Sequence, residues 1–496
     1  MSQPPQNNDV FNPNYGLNPE EEYGSSPPDY DSNKKSPLDD VEAHKRDSLD
    51  EYLSIQMGEE IGHKIQYRSC SWQKTAALLF SEYVCLAIMS FPWSYSVLGL
   101  VPGLIITVGV AATVLITSMT LWRFCLRNPE VRDVADIGQK LFWGKKWAWY
   151  FTAACFLLNN TFIQGLHVLT GAKYLNTITD HSQCTLVFAV VFAVICFAFS
   201  LPRTFSGLSS LAVFSAVTMF IAVLLSMIFA GIEEHPGGWD GTPVKWNLWP
   251  EPGTTEVQGL NAALNIVYTF VGQITYPSFI AEMKNPRDFP KAVWAVTICE
   301  VILYSLAGSI IYVYSGNYYI TAPAFGSLSP LYKKIAFSFA VPTLIFLGVL
   351  YASVSARFVI FRIFDRNSPH LKDHTYRGWA IWIGLLAILW VLAFIIAEVI
   401  PFFSDLLSLM SSLFDCWFGF VFWGVAYIQM LYEDRGPGWY KGLTYRGYFM
   451  LGINILLILM GIYVLVPGIE ATVMSIIDSY KSNSVGGVFT CANNGL

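Results

Sequence analysis

Charge is scarce in this chain: Asp, Glu, Lys and Arg make up 13% of its 496 residues, while 54% are hydrophobic. A soluble domain carries about 25% charged residues, so the deficit excludes an ordinary water-soluble enzyme of this length and points to a polytopic membrane protein. Cysteine is sparse as well, with nine residues at no metal-ligating spacing. Seven of them lie in or beside apolar runs, where a small buried hydrophobe is the expected role. The chain shows no glycine-rich nucleotide loop, no metal-ligand cluster and no nucleophile with a base beside it on a soluble segment. No enzyme activity, metal, cofactor or nucleic-acid partner is therefore expected. Nor is there the ring of charge or filter repeat that an ion channel uses. The first 70 residues contain no apolar run suited to a cleavable signal, so targeting is expected to rest on the first membrane span.

What charge there is divides unevenly. Residues 1 to 72 hold 14 acidic and 6 basic side chains, and the remainder 22 acidic and 24 basic, so the net acidity belongs to the tail. Residues 1 to 60 are rich in Pro, Asn, Ser, Asp and Glu, with too little apolar surface to offset chain entropy, and are expected to form a disordered acidic tail. Residues 61 to 72 make a juxtamembrane segment. Within the tail, Pro27-Pro28-Asp29-Tyr30 matches the pattern that WW domains read on a polyproline helix. A WW-bearing ubiquitin ligase is thus an expected partner at Pro27, Pro28 and Tyr30.

From Trp72 onward the hydrophobic pattern predicts an all-α membrane domain over 73–467, with eleven spans: 73–98, 101–124, 147–175, 184–201, 207–231, 260–283, 291–315, 334–362, 379–399, 401–431 and 447–467. Placing the N-terminus in the cytoplasm puts 25 of the 30 Lys and Arg on that side, as the positive-inside rule asks. An odd count then leaves residues 468–496 as a short external tail. Cys184 and Cys491 both fall on the external side, where a disulfide between them is possible. Five spans, five spans and one suggest an inverted repeat with an added helix, an arrangement whose ligand sits at the midplane.

One span departs from the rest. Leu260–Met283 contains Gly272, Gln273, Thr275 and Pro277 at mid-depth, and a helix broken there would leave backbone groups unpaired in hydrocarbon unless it lined a cavity. The first span carries an echo, Ser90-Phe91-Pro92 against Thr275-Tyr276-Pro277. Paired interruptions in the two halves of a transporter mark its substrate site. Split helices offer amides to an anionic group and carbonyls to a cationic one, so Ala87, Ile88, Met89, Ser90, Phe91, Phe270, Gly272, Gln273, Thr275 and Tyr276 are candidates to bind the substrate. Intramembrane carboxyls are functional candidates because burying charge is costly. Glu82, Glu300 and Asp415 are the deep ones and could couple an ion, while Ser353 and Ser355 are the hydroxyl pair available to sodium.

Phe270-Val271-Gly272-Gln273, Tyr276-Pro277, Glu282-Met283-Lys284-Asn285-Pro286 and Asp288-Phe289-Pro290-Lys291-Ala292 resemble the sixth-helix signature of the amino acid/auxin permease family. Ile400-Pro401-Phe402-Phe403-Ser404-Asp405 is similar to that family's junction of helices nine and ten, and the likeness extends from about Glu59 to Leu465. The resemblance, which is to the fungal neutral amino acid permeases in particular, implies a secondary active transporter working by alternating access. It implies import of aliphatic and aromatic amino acids across a plasma membrane, driven by a proton gradient in preference to sodium. A vacuolar exporter of the same family, or an amino-acid sensor signalling through the tail, would share these motifs.

Overall fold

Apolar runs of bilayer length can satisfy their backbone only as helix, and helix is what they form. The computed structural model describes residues 53–54, 70–131, 133–203, 208–364, 368, 370, 375–481 and 487–496. Pro27, Pro28 and Tyr30 lie outside the described residues.

The first apolar span is two helices, α1 (Trp72–Tyr83) and α2 (Phe91–Leu98), joined through a 3-10 turn over Leu86–Ser90. Then come α3 (Leu100–Arg127), a short α4 (Val134–Leu141), α5 (Lys146–Thr179), α6 (Thr185–Ser200) and α7 (Leu208–Ile232). A second divided element follows, α8 (Glu256–Phe270) and α9 (Tyr276–Glu282). The chain continues through α10 (Phe289–Tyr319), α11 (Pro330–Ile363) and α12 (Tyr376–Val399). It ends with α13 (Phe403–Met410), a π-helical stretch over Ser411–Val421, α14 (Phe422–Arg435) and α15 (Tyr445–Lys481).

Among the described residues, seven helical runs are long and apolar enough to cross a bilayer, or eight if α1 and α2, bent by 44°, count as one. The others predicted to span include α5, whose middle carries Asn159, Asn160, Gln164 and His167, α6 with 16 residues, and α8, which stops after 15. Residues such as Ile105, Val194, Phe214, Leu392 and Tyr463 point outward from α3, α6, α7, α12 and α15, the belt of exposed apolar side chains that lipid would cover. Inside, α1, α2, α3, α8 and α10 pack on one another, while α5, α6, α7, α11 and α12 form a second group.

Two elements differ from the sequence reading. In the first span the extended step falls at Cys85 (φ −119°, ψ 177°), before Ala87–Phe91, and Pro92 sits in the opening turn of α2. A proline is tolerated there because the first turn needs no intrahelical N–H. The last helix does not stop near 467 but runs through Pro467 to Lys481. Ser475 donates to Asp405 Oδ1 at 2.8 Å and Tyr480 to the Val399 carbonyl at 2.7 Å, tertiary bonds that hold the extension in place. Between α3 and α5, Asp133 caps α4 by accepting from the Ala135 and Asp136 amides, and Val134, Ile137 and Leu141 are buried.

On the opposite side from the start of α1, the α7–α8 loop is pinned to α10. Asp240 accepts from the Tyr319 hydroxyl at 2.6 Å. That bond and the Thr242 contacts hold its carboxyl down at about 2, so it stays anionic in acid media. The C-terminal residues are fastened nearby. Cys184 and Cys491 are disulfide-bonded with Cα atoms 4.5 Å apart, Thr185 donates to the Ala492 carbonyl and the Leu496 amide to Thr177. The bond closes a loop of 307 residues, and a cross-link contributes about 2–4 kcal/mol, more for longer loops. Cys184→Ser is expected to lower the melting temperature of the detergent-purified protein by several degrees; an unchanged temperature would show that the strap's hydrogen bonds suffice.

Candidate functional site

The two divided elements end alike. Ser90 is the residue before α2 and donates to the Ala87 carbonyl at 2.7 Å; Thr275 is the residue before α9 and donates to the Gly272 carbonyl at 2.9 Å. In each, a proline occupies the first turn that follows. The shared hydroxyl-aromatic-proline pattern is thus a helix-start signal set after the break.

The breaks meet face to face. The Tyr83 hydroxyl at the end of α1 lies 2.6 Å from that of Tyr276 at the start of α9, and the Tyr83 carbonyl accepts from Tyr304 on α10 at 2.8 Å. Tyr83 can come this close only because residue 272 is glycine. A Cβ there would stand 2.3 Å from the Tyr83 oxygen. On one side of this junction Phe91, Phe270 and Tyr304 form an aromatic plug, with Phe91 and Phe270 each 5.0 Å from the Tyr304 ring.

On the other side two cavities open. A chamber of about 60 Å³ is bounded by Glu82, Asn159, Tyr268, Gly272, Tyr351 and Asp415 among others. A vestibule of about 450 Å³ leads toward the end where α1 begins; Leu78, Phe156, Phe279, Phe346 and Leu350 give it an apolar wall, and Lys74, Glu282 and Arg357 a charged one. Glu82, Ile274 and Tyr351 belong to both cavities. The Glu82 carboxylate accepts from the Tyr351 hydroxyl at 2.8 Å through Oε1, and Thr275 Oγ1 lies 3.1 Å from Oε2. One buried carboxyl on α1 therefore joins the second break to α11, across the boundary between the two helix groups.

Of the candidate binding residues, Gly272 lines the chamber and Thr275 the vestibule. The structure moves the others away from the cavities. Ala87, Ile88, Met89 and Ser90 are buried in the 3-10 turn, and Phe91 and Phe270 belong to the plug. Gln273 donates to Thr117 Oγ1 at 3.0 Å, and Tyr276 is engaged with Tyr83. Gln273 thus faces α3, and Phe91 and Phe270 face Tyr304 on α10.

Among the carboxyls, Asp415 lines the chamber, while Glu300 is buried on α10 outside both cavities. Ser355 accepts from Asn160 Nδ2 at 3.1 Å, and neither it nor Ser353 lines the chamber or the vestibule. Sequence reasoning missed Tyr351, Tyr268 and Tyr83, for tyrosine in an apolar span is usually packing. The available signals were weak: Tyr83 adjoins Glu82, and Tyr268 stands one helical turn before Gly272.

Comparison with known proteins gives the family of the chain. The family described as "Transmembrane amino acid transporter protein" matches residues 68–466. The "N amino acid transport system protein" of Neurospora crassa is 32% identical over 436 residues, 87% of this chain and 90% of its own. A "Transmembrane transporter" of Gibberella moniliformis is 30% identical over 87% of this chain and 89% of its own, and another so described from Fusarium pseudograminearum is 26% identical over 87% and 88%. The chain belongs to the transmembrane amino acid transporter family, and is a membrane transporter and not an enzyme.

Proposed function

We propose that the protein imports neutral amino acids, aliphatic and aromatic, together with protons, by alternating access across the plasma membrane. The observation that carries this reading is Glu82. It is part of the wall that chamber and vestibule share and ties the second break to α11. As a carboxylate it accepts from both Tyr351 and Thr275. As a neutral acid it can donate to Thr275 Oγ1, whose own hydrogen then goes to the Gly272 carbonyl 2.9 Å away. Either protonation state is bonded, but with opposite hydrogen direction at the break, which is how a proton can bias a two-state element.

The apolar wall of the vestibule suits an uncharged side chain, and an absence of substrate charge makes the proton the only net charge carried. A pH difference of one unit and a potential of 100 mV supply about 1.4 and 2.3 kcal/mol per proton, together enough for accumulation of several hundred-fold. In this reading α5, α6 and α8 with α9 complete eleven spans. Elements α1 to α7 and α8 to α14 are the two inverted halves, with α15 added and the tail cytoplasmic. The alike ends of the two breaks support that symmetry. The WW motif of the tail fits a ubiquitin ligase that governs residence at the cell surface.

The test is uptake of labelled leucine and phenylalanine into cells lacking their own permeases, at acid and neutral external pH, with and without a protonophore. Uptake that rises in acid and collapses with the protonophore is expected. Uptake indifferent to both would refute the coupling, and no uptake by surface-located protein would refute the substrate or direction.

A further inference from the structure

The chamber contains a second acidic group that the proton step leaves unused. Asp415 is 5% exposed, projects from the π-helical stretch Ser411–Val421 and faces the chamber opposite the end of α8. The Ser411 hydroxyl stands nearby, one turn earlier, yet Asp415 Oδ2 makes no hydrogen bond. A buried carboxylate oxygen left without a partner costs stability, and π-helical insertions concentrate at functional sites. The surroundings favour positive charge further. Since Val271–Thr275 leave helical register, the last carbonyls of α8 have no amide four residues on, and the negative end of its dipole points at the same space. Among the residues lining the chamber there is no Lys, Arg or His.

We propose that Asp415 is the counter-charge for the substrate's α-ammonium, and so a specificity-determining residue that makes a free amine obligatory. The assignment rests on the amino acid transport reading and adds to it the orientation of the substrate. A chamber of about 60 Å³ admits an ammonium group, since a water-sized group needs only about 10–15 Å³ of such space. The side chain then extends past Glu82 and Tyr351 into the apolar part of the vestibule. Glu82 handles the proton and Asp415 the ammonium, which explains two carboxyls in one small space.

The test uses the full-length protein and splits leucine into its parts: 3-methylbutylamine keeps the ammonium and side chain, 4-methylpentanoate the carboxylate and side chain. Binding to the purified protein is read by thermal shift, and competition by inhibition of leucine uptake. The amine is expected to act at concentrations within about tenfold of leucine, and the acid at least about 100-fold more weakly. Asp415→Asn is expected to weaken leucine and the amine by at least about 30-fold, the loss that follows removal of one partner of a buried charged pair. It should leave the pH midpoint of uptake in place, and Asp415→Glu should restore part of the affinity.

Wild-type protein that carries leucine but ignores the amine would overturn the proposal without the variants being needed. So would an Asp415→Asn protein that keeps its amine preference while its pH midpoint moves, or protection of the protein by sodium ions in place of amines. Amine binding without leucine transport would instead leave the Asp415 assignment standing and remove the transport reading beneath it.

Discussion

Glu82→Gln is expected to abolish concentrative uptake while leaving exchange intact. Glutamine has the size of glutamate and can keep both bonds of the bridge: its carbonyl accepts from Tyr351, now 2.8 Å from Glu82 Oε1, and its amide donates to Thr275 Oγ1, now 3.1 Å from Oε2. What it cannot do is change protonation. The accumulation ratio should fall from several hundred-fold toward unity, a loss of at least about 100-fold or some 2.7 kcal/mol of driving force. Acid stimulation should vanish with it. Efflux of labelled leucine from preloaded cells against unlabelled leucine outside should persist, since that exchange needs no net proton movement. If Glu82→Gln still concentrates leucine in acid and still responds to a protonophore, the proton binds elsewhere, and Glu300 would be the next residue to replace.

Gly272→Ala is expected to cripple transport. The new carbon would sit 2.3 Å from the Tyr83 hydroxyl oxygen and 2.6 Å from the ring carbon bearing it. The clash can be relieved only by moving Tyr83, and with it the 2.6 Å bond to Tyr276 that ties the two breaks together. Overpacking costs about 1–3 kcal/mol, and here the strain falls on a hinge. Uptake should drop by more than about tenfold at equal surface expression, with KM and maximal rate both affected, since a hinge serves both. Gly109→Ala on α3 is the control. Nothing lies within 4 Å of the point where its methyl group would stand, and its uptake should stay within twofold of wild type. Equal loss in the two variants would mean that membrane insertion, and not the hinge, is what glycine serves.

Much of the architecture was legible in advance because its causes are local. A shortage of charge and apolar runs of bilayer length need no tertiary information to imply membrane helices, and a Gly272-Gln273-Ile274-Thr275 interruption cannot sit unpaired in lipid. The first break was harder to place. Pro92 drew attention to itself, yet it lies in a helix-opening turn, and the extended step at Cys85 has no breaker residue to announce it. What bends the chain there is Tyr83, Tyr276 and Tyr304 meeting. Likewise Pro467 reads as a stop, but bonds from Ser475 and Tyr480 carry α15 on to Lys481.

The sequence by itself therefore determined the membrane class, the second break, and the short inventory of buried carboxyls, since each follows from the cost of burying a backbone or a charge. Only the tertiary structure decided which members of that inventory share a space. Glu82, Asn159, Tyr268, Tyr351 and Asp415 come from five separate helical stretches and meet in one chamber, while Glu300 is buried elsewhere. The rotation of a helix about its own axis is set by side chains packed against its neighbours, and in a span apolar on every side no local periodicity marks the face that will line a cavity.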